Sequence, residues 1–161
     1  MQKTNEILPA DKSDLLDVGN YETYNRNLMR RVFPRMISEL KAHKPRAKAG
    51  DIIPLYFALL TNINGQELLK NGEPNPKYEA CFLSQSELAR MTGVGVNRIP
   101  ILIEVLVRNG VLTDVKDVWE GTNRYIYYYP SFCPRITDDG FIVDNNGEIV
   151  RPNYEDIRNK L

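Results

Sequence analysis

Two short helices joined by a tight turn are predicted in the middle of the chain, and they constrain its fold most. Ser84 and Glu87 are spaced so that each side chain can accept a hydrogen bond from the other's free backbone N–H, which marks the start of a helix. The pattern predicts the first helix over residues 85–91, buried through Leu88 and Met91.

The second helix follows the tight turn Thr92-Gly-Val-Gly95. It is predicted over residues 97–109, because Gly110 can end it in a left-handed conformation. Pro100 then lies in the first turn, where its missing N–H removes no hydrogen bond. The core face repeats at helical spacing and consists of Ile99, Leu102, Ile103 and Leu106.

Strand-like runs at residues 111–119 and 124–129 follow this helix directly. They are separated by Glu-Gly-Thr-Asn, so they predict a hairpin. A second hairpin is predicted at residues 141–150 around Asn146-Gly147, and Asn153 is a candidate cap for a final helical turn.

Upstream, Asp51 is the predicted cap of a helix that carries Pro54 in its first turn. Residues 65–77 form a polar run of turns, and residues 81–83 a short strand. Pro34 predicts the first turn of another helix, with Met36, Ile37 and Leu40 on its apolar side, while residues 21–33 fit either a strand or a helix.

Helix, short strand, helix, tight turn, helix and hairpin is the order of a winged helix-turn-helix. The predicted class is therefore α+β, with a three-helix core and a two-stranded wing. A polar N-terminal arm is expected at residues 1–23, the winged-helix domain with a basic helix as lead-in at 24–134, and a C-terminal hairpin extension at 135–161.

The net charge of zero, from 21 bases and 21 acids, hides an uneven distribution. Residues 24–49 hold eight bases and one acid, whereas residues 1–23 hold five acids and two bases. Such a block is typical of a surface that binds phosphates, although a solvated helix face with a charged loop would look the same. Its bases are Arg26, Arg30, Arg31, Arg35, Lys41, Lys44, Arg46 and Lys48.

The motif residues also resemble a known family. The segments Leu83-Ser-Gln-Ser-Glu-Leu-Ala-Arg-Met-Thr-Gly-Val-Gly-Val-Asn-Arg-Ile99 and Leu106-Val-Arg-Asn-Gly-Val-Leu112 resemble bacterial winged helices. Together with Leu-Tyr-Phe-Ala-Leu-Leu at 55–60, they are similar to the N-terminal domain of phage and plasmid replication initiators and replisome organisers. The resemblance covers about residues 33–130. It implies a DNA-binding protein of a mobile element that acts in replication initiation or transcriptional regulation.

In that family the second helix of the motif enters the major groove and the wing touches the backbone or minor groove. The resemblance implies base-reading by Val96, Asn97, Arg98 and Ile101, with Pro100 on the same face, although related domains often carry Arg or Lys at positions 100 and 101. It implies backbone contacts by the basic block, Ser84 and Ser86. The wing contacts would be Lys116, Thr122, Asn123 and Arg124.

Ile101 and Val105 project opposite the core face of the predicted second helix. The first helix or the N-terminal segment could cover them, they could touch thymine methyl groups, or they could form a surface for a homodimer or another protein. The last interpretation gives the alternative function: an interaction module that binds a replisome or regulatory protein. Tyr125, Tyr127 and Tyr129 share one strand face, which could stack on unpaired bases or pack against the helices.

No catalytic, metal or cofactor site is predicted. His43 is the single histidine, Cys81 and Cys133 are far apart, and no phosphate-binding glycine loop is present. Asp138-Asp139 fits a turn better than a metal site. The expected partner is double-stranded DNA rather than a membrane or small molecule, and the expected location is the cytoplasm, since neither a secretory signal nor a spanning segment is seen.

Overall fold

The structure is a computed structural model that describes residues 10–19 and 21–161. Residues 1–9 and 20 of the predicted N-terminal arm lie outside the described residues, and residues Ser13–Asp17 form a 3-10 turn. The class is α+β, with four α-helices and two small antiparallel sheets among the described residues. None of these helices is long and apolar enough to cross a bilayer.

In chain order the elements are α1 (Phe33–His43), α2 (Ile52–Thr61), α3 (Gln85–Thr92), α4 (Ile99–Arg108), β1 (Leu112–Glu120), β2 (Asn123–Pro130), β3 (Arg135–Ile136) and β4 (Ile142–Val143). Strand β1 pairs with β2, and β3 pairs with β4.

Helix α1 has Pro34 in its first turn, as predicted, but the helical run extends further upstream. A wide π-helical turn, Leu28–Val32, leads directly into α1. Leu28 and Val32 are buried beside Phe33, and this continuous apolar stripe favours helix over strand. π turns are rare and occur mostly as single turns within helices, and this one ends two residues before Pro34, which has no N–H.

Helix α2 starts without the predicted cap. Asp51 belongs to a 3-10 turn, Ala49–Asp51, and its side chain makes no capping hydrogen bond. Its carboxylate instead pairs with Arg98. The helix is held by burial of its apolar side, and the Tyr56 hydroxyl donates to the Ser131 carbonyl at 2.9 Å.

Helix α3 has the predicted start. Glu87 N–H donates to Ser84 Oγ at 3.2 Å, and Ser84 N–H donates to Glu87 Oε2 at 2.8 Å. Leu88 is buried as expected, but Met91 is 46% exposed, which contradicts its predicted burial. Met91 lies at the rim of the core, where its sulfur faces the Asn62 amide at the end of α2.

The turn, α4 and the hairpin also follow the prediction closely. Gly93 and Gly110 have φ of 72° and 74°, and Pro100 lies in the first turn of α4 after a 3-10 turn, Val96–Arg98. The strand predicted at residues 81–83 is reduced to one bridge, in which Cys81 and Tyr128 exchange two backbone hydrogen bonds of 2.8 Å.

The C-terminal region forms the predicted turn at Asn146-Gly147, with φ of 79° at the glycine. Its strand β4 pairs with β3, and Val143 bridges to Ile149, so the predicted hairpin gains a further strand. Gly140 ends the turn between β3 and β4 with φ of 89°. A Cβ atom at this glycine would lie 2.5 Å from the Arg31 carbonyl oxygen.

Gly140→Ala is therefore expected to lower the free energy of unfolding by about 2–4 kcal/mol, through backbone strain and a steric clash. The matched control is Gly147→Ala, which has a similar φ of 79° but no atom within 4 Å of the added Cβ. That control is expected to cost about 1 kcal/mol. Urea unfolding monitored by circular dichroism measures both, and equal losses would refute the close approach of Gly140 to the π turn.

Candidate nucleic-acid interface

The first residues of α4 and the turn before them form an exposed surface of the helix pair. Val96 is 42% exposed, and Asn97 and Pro100 are also exposed. Asn97 makes no side-chain hydrogen bond to another described residue, so its amide can offer both a donor and an acceptor. These residues form a small protruding surface with mixed apolar and polar chemistry.

Arg98 is tied down beside this surface. Its guanidinium pairs with Asp51 and donates to the Lys48 carbonyl at 3.3 Å. Because Asp51 offsets its charge, Arg98 fits its predicted base-reading role poorly. It instead holds the start of α4 against the loop at Lys48 and Asp51. The same contacts bring the loop after α1, with exposed Arg46 and Lys48, next to the start of α4.

The basic block divides into two groups. Arg31 pairs with Asp138 at 3.3 Å, and Lys44 Nζ donates to the Leu161 carbonyl. The second group is exposed and has no ion-pair partner among residues 10–19 and 21–161. It comprises Arg26, Arg30, Lys41, Arg46 and Lys48.

Arg35 is a structural residue, so its predicted phosphate contact is wrong. Its side chain is only 10% exposed and pairs with Glu39. It also donates to the Gly140 carbonyl at 2.8 Å and to Asn109 Oδ1 at 2.9 Å, and its guanidinium lies 4.1 Å from the Phe141 ring centre. A phosphate could reach it only if these contacts broke.

Ile101 and Val105 are buried, with 7% and 0% exposure. The prediction that they form a base-reading or partner surface is therefore wrong. Arg108 lies on the same side of α4, one turn beyond Val105. Arg108 donates to the Asn153 carbonyl at 2.6 Å, so the C-terminal segment contacts the end of α4 on this side.

Further contacts hold the C-terminal segment in place. Arg108 makes a bidentate pair with Asp156 at 2.6 and 2.9 Å, and Asn109 donates to the Tyr154 hydroxyl at 2.9 Å. The hydrogen bonds from Arg108 lower the pKa of Asp156 to about 2. Tyr154 and Ile157 are buried, so the segment belongs to the same core as α4.

The two predicted basic contacts of the hairpin are partly neutralised. Arg124 pairs with Asp117 at 2.7 Å, and its hydrogen bonds lower the pKa of that carboxyl. Lys116 lies 3.9 Å from Asp114 and over the Tyr129 ring. Thr122 and Asn123 are exposed at the tip, as predicted for contact residues. The hairpin has three acids and two bases, so attraction of phosphate is weak there.

A cleft of about 650 Å³ separates the start of α3 from the hairpin. Ser84, Ser86, Val96 and residues of β2 line it. The Ser84 hydroxyl is occupied by its cap, whereas Ser86 is exposed. A larger cleft of about 840 Å³, near the junction of the hairpin and the C-terminal region, includes none of the predicted DNA contacts.

The tyrosine face of β2 is covered by the turn-rich residues 62–80 rather than by helices. Tyr127 is buried, and the Tyr129 hydroxyl donates to the Pro76 carbonyl at 3.4 Å. Lys77 Nζ lies 5.8 Å from the Tyr125 ring centre and 3.5 Å from Glu120. The three rings therefore do not form an open stacking surface.

The sequence patterns did not identify Trp119 as a candidate site residue. It is 64% exposed near the hairpin tip and is the only tryptophan in the chain. Its place in a strand-like run was visible, but nothing in that run distinguishes a buried strand residue from one beyond the core.

No potential metal cluster of three or more His, Cys, Asp or Glu side chains occurs among the described residues. Asp138 and Asp139 lie in the turn between β3 and β4, and the His43 ring packs against Tyr154 at 5.3 Å. Comparison of the chain with protein-family models, curated proteins and solved structures finds no match.

The contact between the C-terminal segment and the end of α4 is expected to weaken in acid. The folded-state pKa of Asp156 is depressed to about 2, so its pairing stabilises the fold above the ordinary carboxyl pKa and is lost as pH falls towards 2. Asp156→Asn should therefore lower the unfolding free energy at pH 7, and its difference from the parent should shrink at pH 2–3. Urea titrations at both pH values measure this, with Glu155→Gln as the neighbouring control. A difference independent of pH would contradict the pairing.

Proposed function

We propose that the chain is a winged helix-turn-helix protein that binds double-stranded DNA through the start of α4. The order α2, α3, tight turn, α4 and hairpin is compatible with that fold, and α3 starts with its capping box. The supporting observation is the exposed start of α4 with the basic loop beside it. In this proposal Val96 and Asn97 enter the major groove.

The proposal assigns different roles to the bases. Arg46 and Lys48 bind phosphates next to the groove, because Arg98 holds their loop against α4. Arg26, Arg30 and Lys41 lie on the exposed side of the α1 helical run and extend the positive surface. Asn97 reads a base edge, for which an adenine offers the complementary donor and acceptor.

The sequence resemblance supports a narrower proposal. It favours a protein of a phage or plasmid that acts in replication initiation or in transcriptional regulation, as a monomer or a homodimer. The alternative, a protein-binding module that uses the outer face of α4, loses its surface because Ile101 and Val105 are buried.

The phosphates that the protein neutralises can be counted by salt dependence. Replacing Arg46 and Lys48 by glutamine together should reduce the slope of log K against log salt by about 1.8, or 0.9 for each phosphate that is no longer neutralised. Fluorescence anisotropy with a labelled duplex measures the slope. Lys70→Gln, in the turn-rich residues 62–80 that cover the other face of the hairpin, is the control and should leave the slope unchanged. Absence of duplex binding even at low salt would overturn the proposed function.

The base-reading role of Asn97 predicts an effect on sequence preference rather than on the salt slope. After selection of a preferred site from random duplexes, Asn97→Ala should weaken binding to that site by about 1–3 kcal/mol and leave binding to unrelated duplexes nearly unchanged. Gln85→Ala, which removes a polar side chain at the start of α3, serves as the control. A uniform decrease on all duplexes would remove Asn97 from the base-reading set.

A further inference from the structure

Trp119 lies on the hairpin beyond the part that packs into the core. It pairs directly with Arg124 across the hairpin, and Val115 pairs with Tyr128 on the same face. Val115 and Tyr128 pack into the core, but Trp119 lies four residues further out, or roughly 13 Å along the strand. The ring therefore continues the inward-facing side of the hairpin beyond the helices that cover it.

This face of the hairpin looks towards the surface proposed to bind DNA. Arg124, Ile126 and Tyr128 form one wall of the cleft of about 650 Å³. The start of α3 and Val96 form the opposite wall. A duplex bound at Val96 and Asn97 would thus have the outer end of this wall, with Trp119, beside it.

The charges around Trp119 favour a neutral flat partner. Arg124, its cross-strand neighbour, is held by Asp117 through bonds of 2.7–3.0 Å. Asp117 is paired with Arg124, and Glu120, on the opposite face of the strand, lies 3.5 Å from Lys77, so these charges offset each other and offer little attraction for phosphates or anionic lipid headgroups. A large aromatic ring in such surroundings can bind the face of a nucleobase, since stacking needs no charge.

We propose that Trp119 stacks on an unpaired nucleobase next to the duplex, so that the protein prefers DNA with a local opening beside its binding site. A base inside an intact duplex has both faces covered by its neighbours, whereas an unpaired base leaves one face for the ring. The inference rests on the proposed function, because α4 supplies the contact with the adjoining duplex.

Because Trp119 is the only tryptophan of the chain, tryptophan fluorescence reports on this side chain alone. Two labelled DNAs are used, a fully paired duplex and the same duplex ending in a fork of unpaired thymidines. Forked DNA should quench the tryptophan fluorescence of the wild-type protein more strongly than the paired duplex. In anisotropy titrations, Trp119→Ala should weaken binding to the fork by about 5- to 150-fold, the range expected when one base is no longer stacked. Binding to the paired duplex should change less than twofold.

Two control variants separate stacking from other causes. Trp119→Phe keeps an aromatic ring and should retain most of the preference for the fork. Leu68→Ala removes another exposed apolar side chain, located in the turn-rich residues 62–80, and should change neither affinity.

The outcomes distinguish this inference from the proposed function. Binding of both DNAs with equal affinity, or an equal decrease on both in Trp119→Ala, would overturn the stacking role while the duplex-binding function stands. Failure to bind either DNA would overturn both. Sedimentation velocity on the same samples covers a protein partner: if Trp119→Ala abolishes self-association and leaves fork affinity unchanged, the ring belongs to a protein interface and the proposal is wrong.

Discussion

Burial of α4 on two opposite sides is the constraint on which the rest of the structure depends. Six of its ten residues are buried, including Ile101 and Val105, which lie outside the predicted core face. Each such aliphatic side chain contributes about 1.5–3 kcal/mol when it leaves water, so burial of Ile101 and Val105 is a substantial part of the stability. Apart from Val107 near the end of α4, this burial leaves the start of α4 and the turn before it as the exposed surface.

Arg35 links the C-terminal region and the end of α4 to the first helix. The side chain extends from α1 to Asn109 at the end of α4 and to the turn at Gly140. A single buried cation thus connects three parts of the chain. Removing it would leave the Gly140 carbonyl and the Asn109 amide oxygen without this donor, which costs more than breaking an exposed ion pair. A basic residue in a dense basic block can therefore serve stability rather than phosphate binding.

The features that could be predicted from the sequence depend on neighbours within a few residues. The Ser84–Glu87 capping box, the left-handed Gly93 and Gly110 and the hairpin turn are of this kind. The features that could not be predicted join residues far apart. Arg98 meets Asp51 across 47 positions, and Arg35 meets Gly140 across 105. Spacing along a helix shows that Ile101 and Val105 share a face, but it carries no information about which distant segment covers that face.

The ion pairs within the basic block also change how the zero net charge of the chain is interpreted. Of the eight bases in the basic block, five stay exposed without an ion-pair partner in the described part of the chain. If all five bound phosphates, the salt slope would be about −4.5, well short of the strongest electrostatic DNA binders. Charge alone then gives modest affinity. In the proposed function, discrimination between DNA sites comes from shape and base contacts, and the exposed groups proposed to make them are Asn97 at the start of α4 and Trp119 near the hairpin tip.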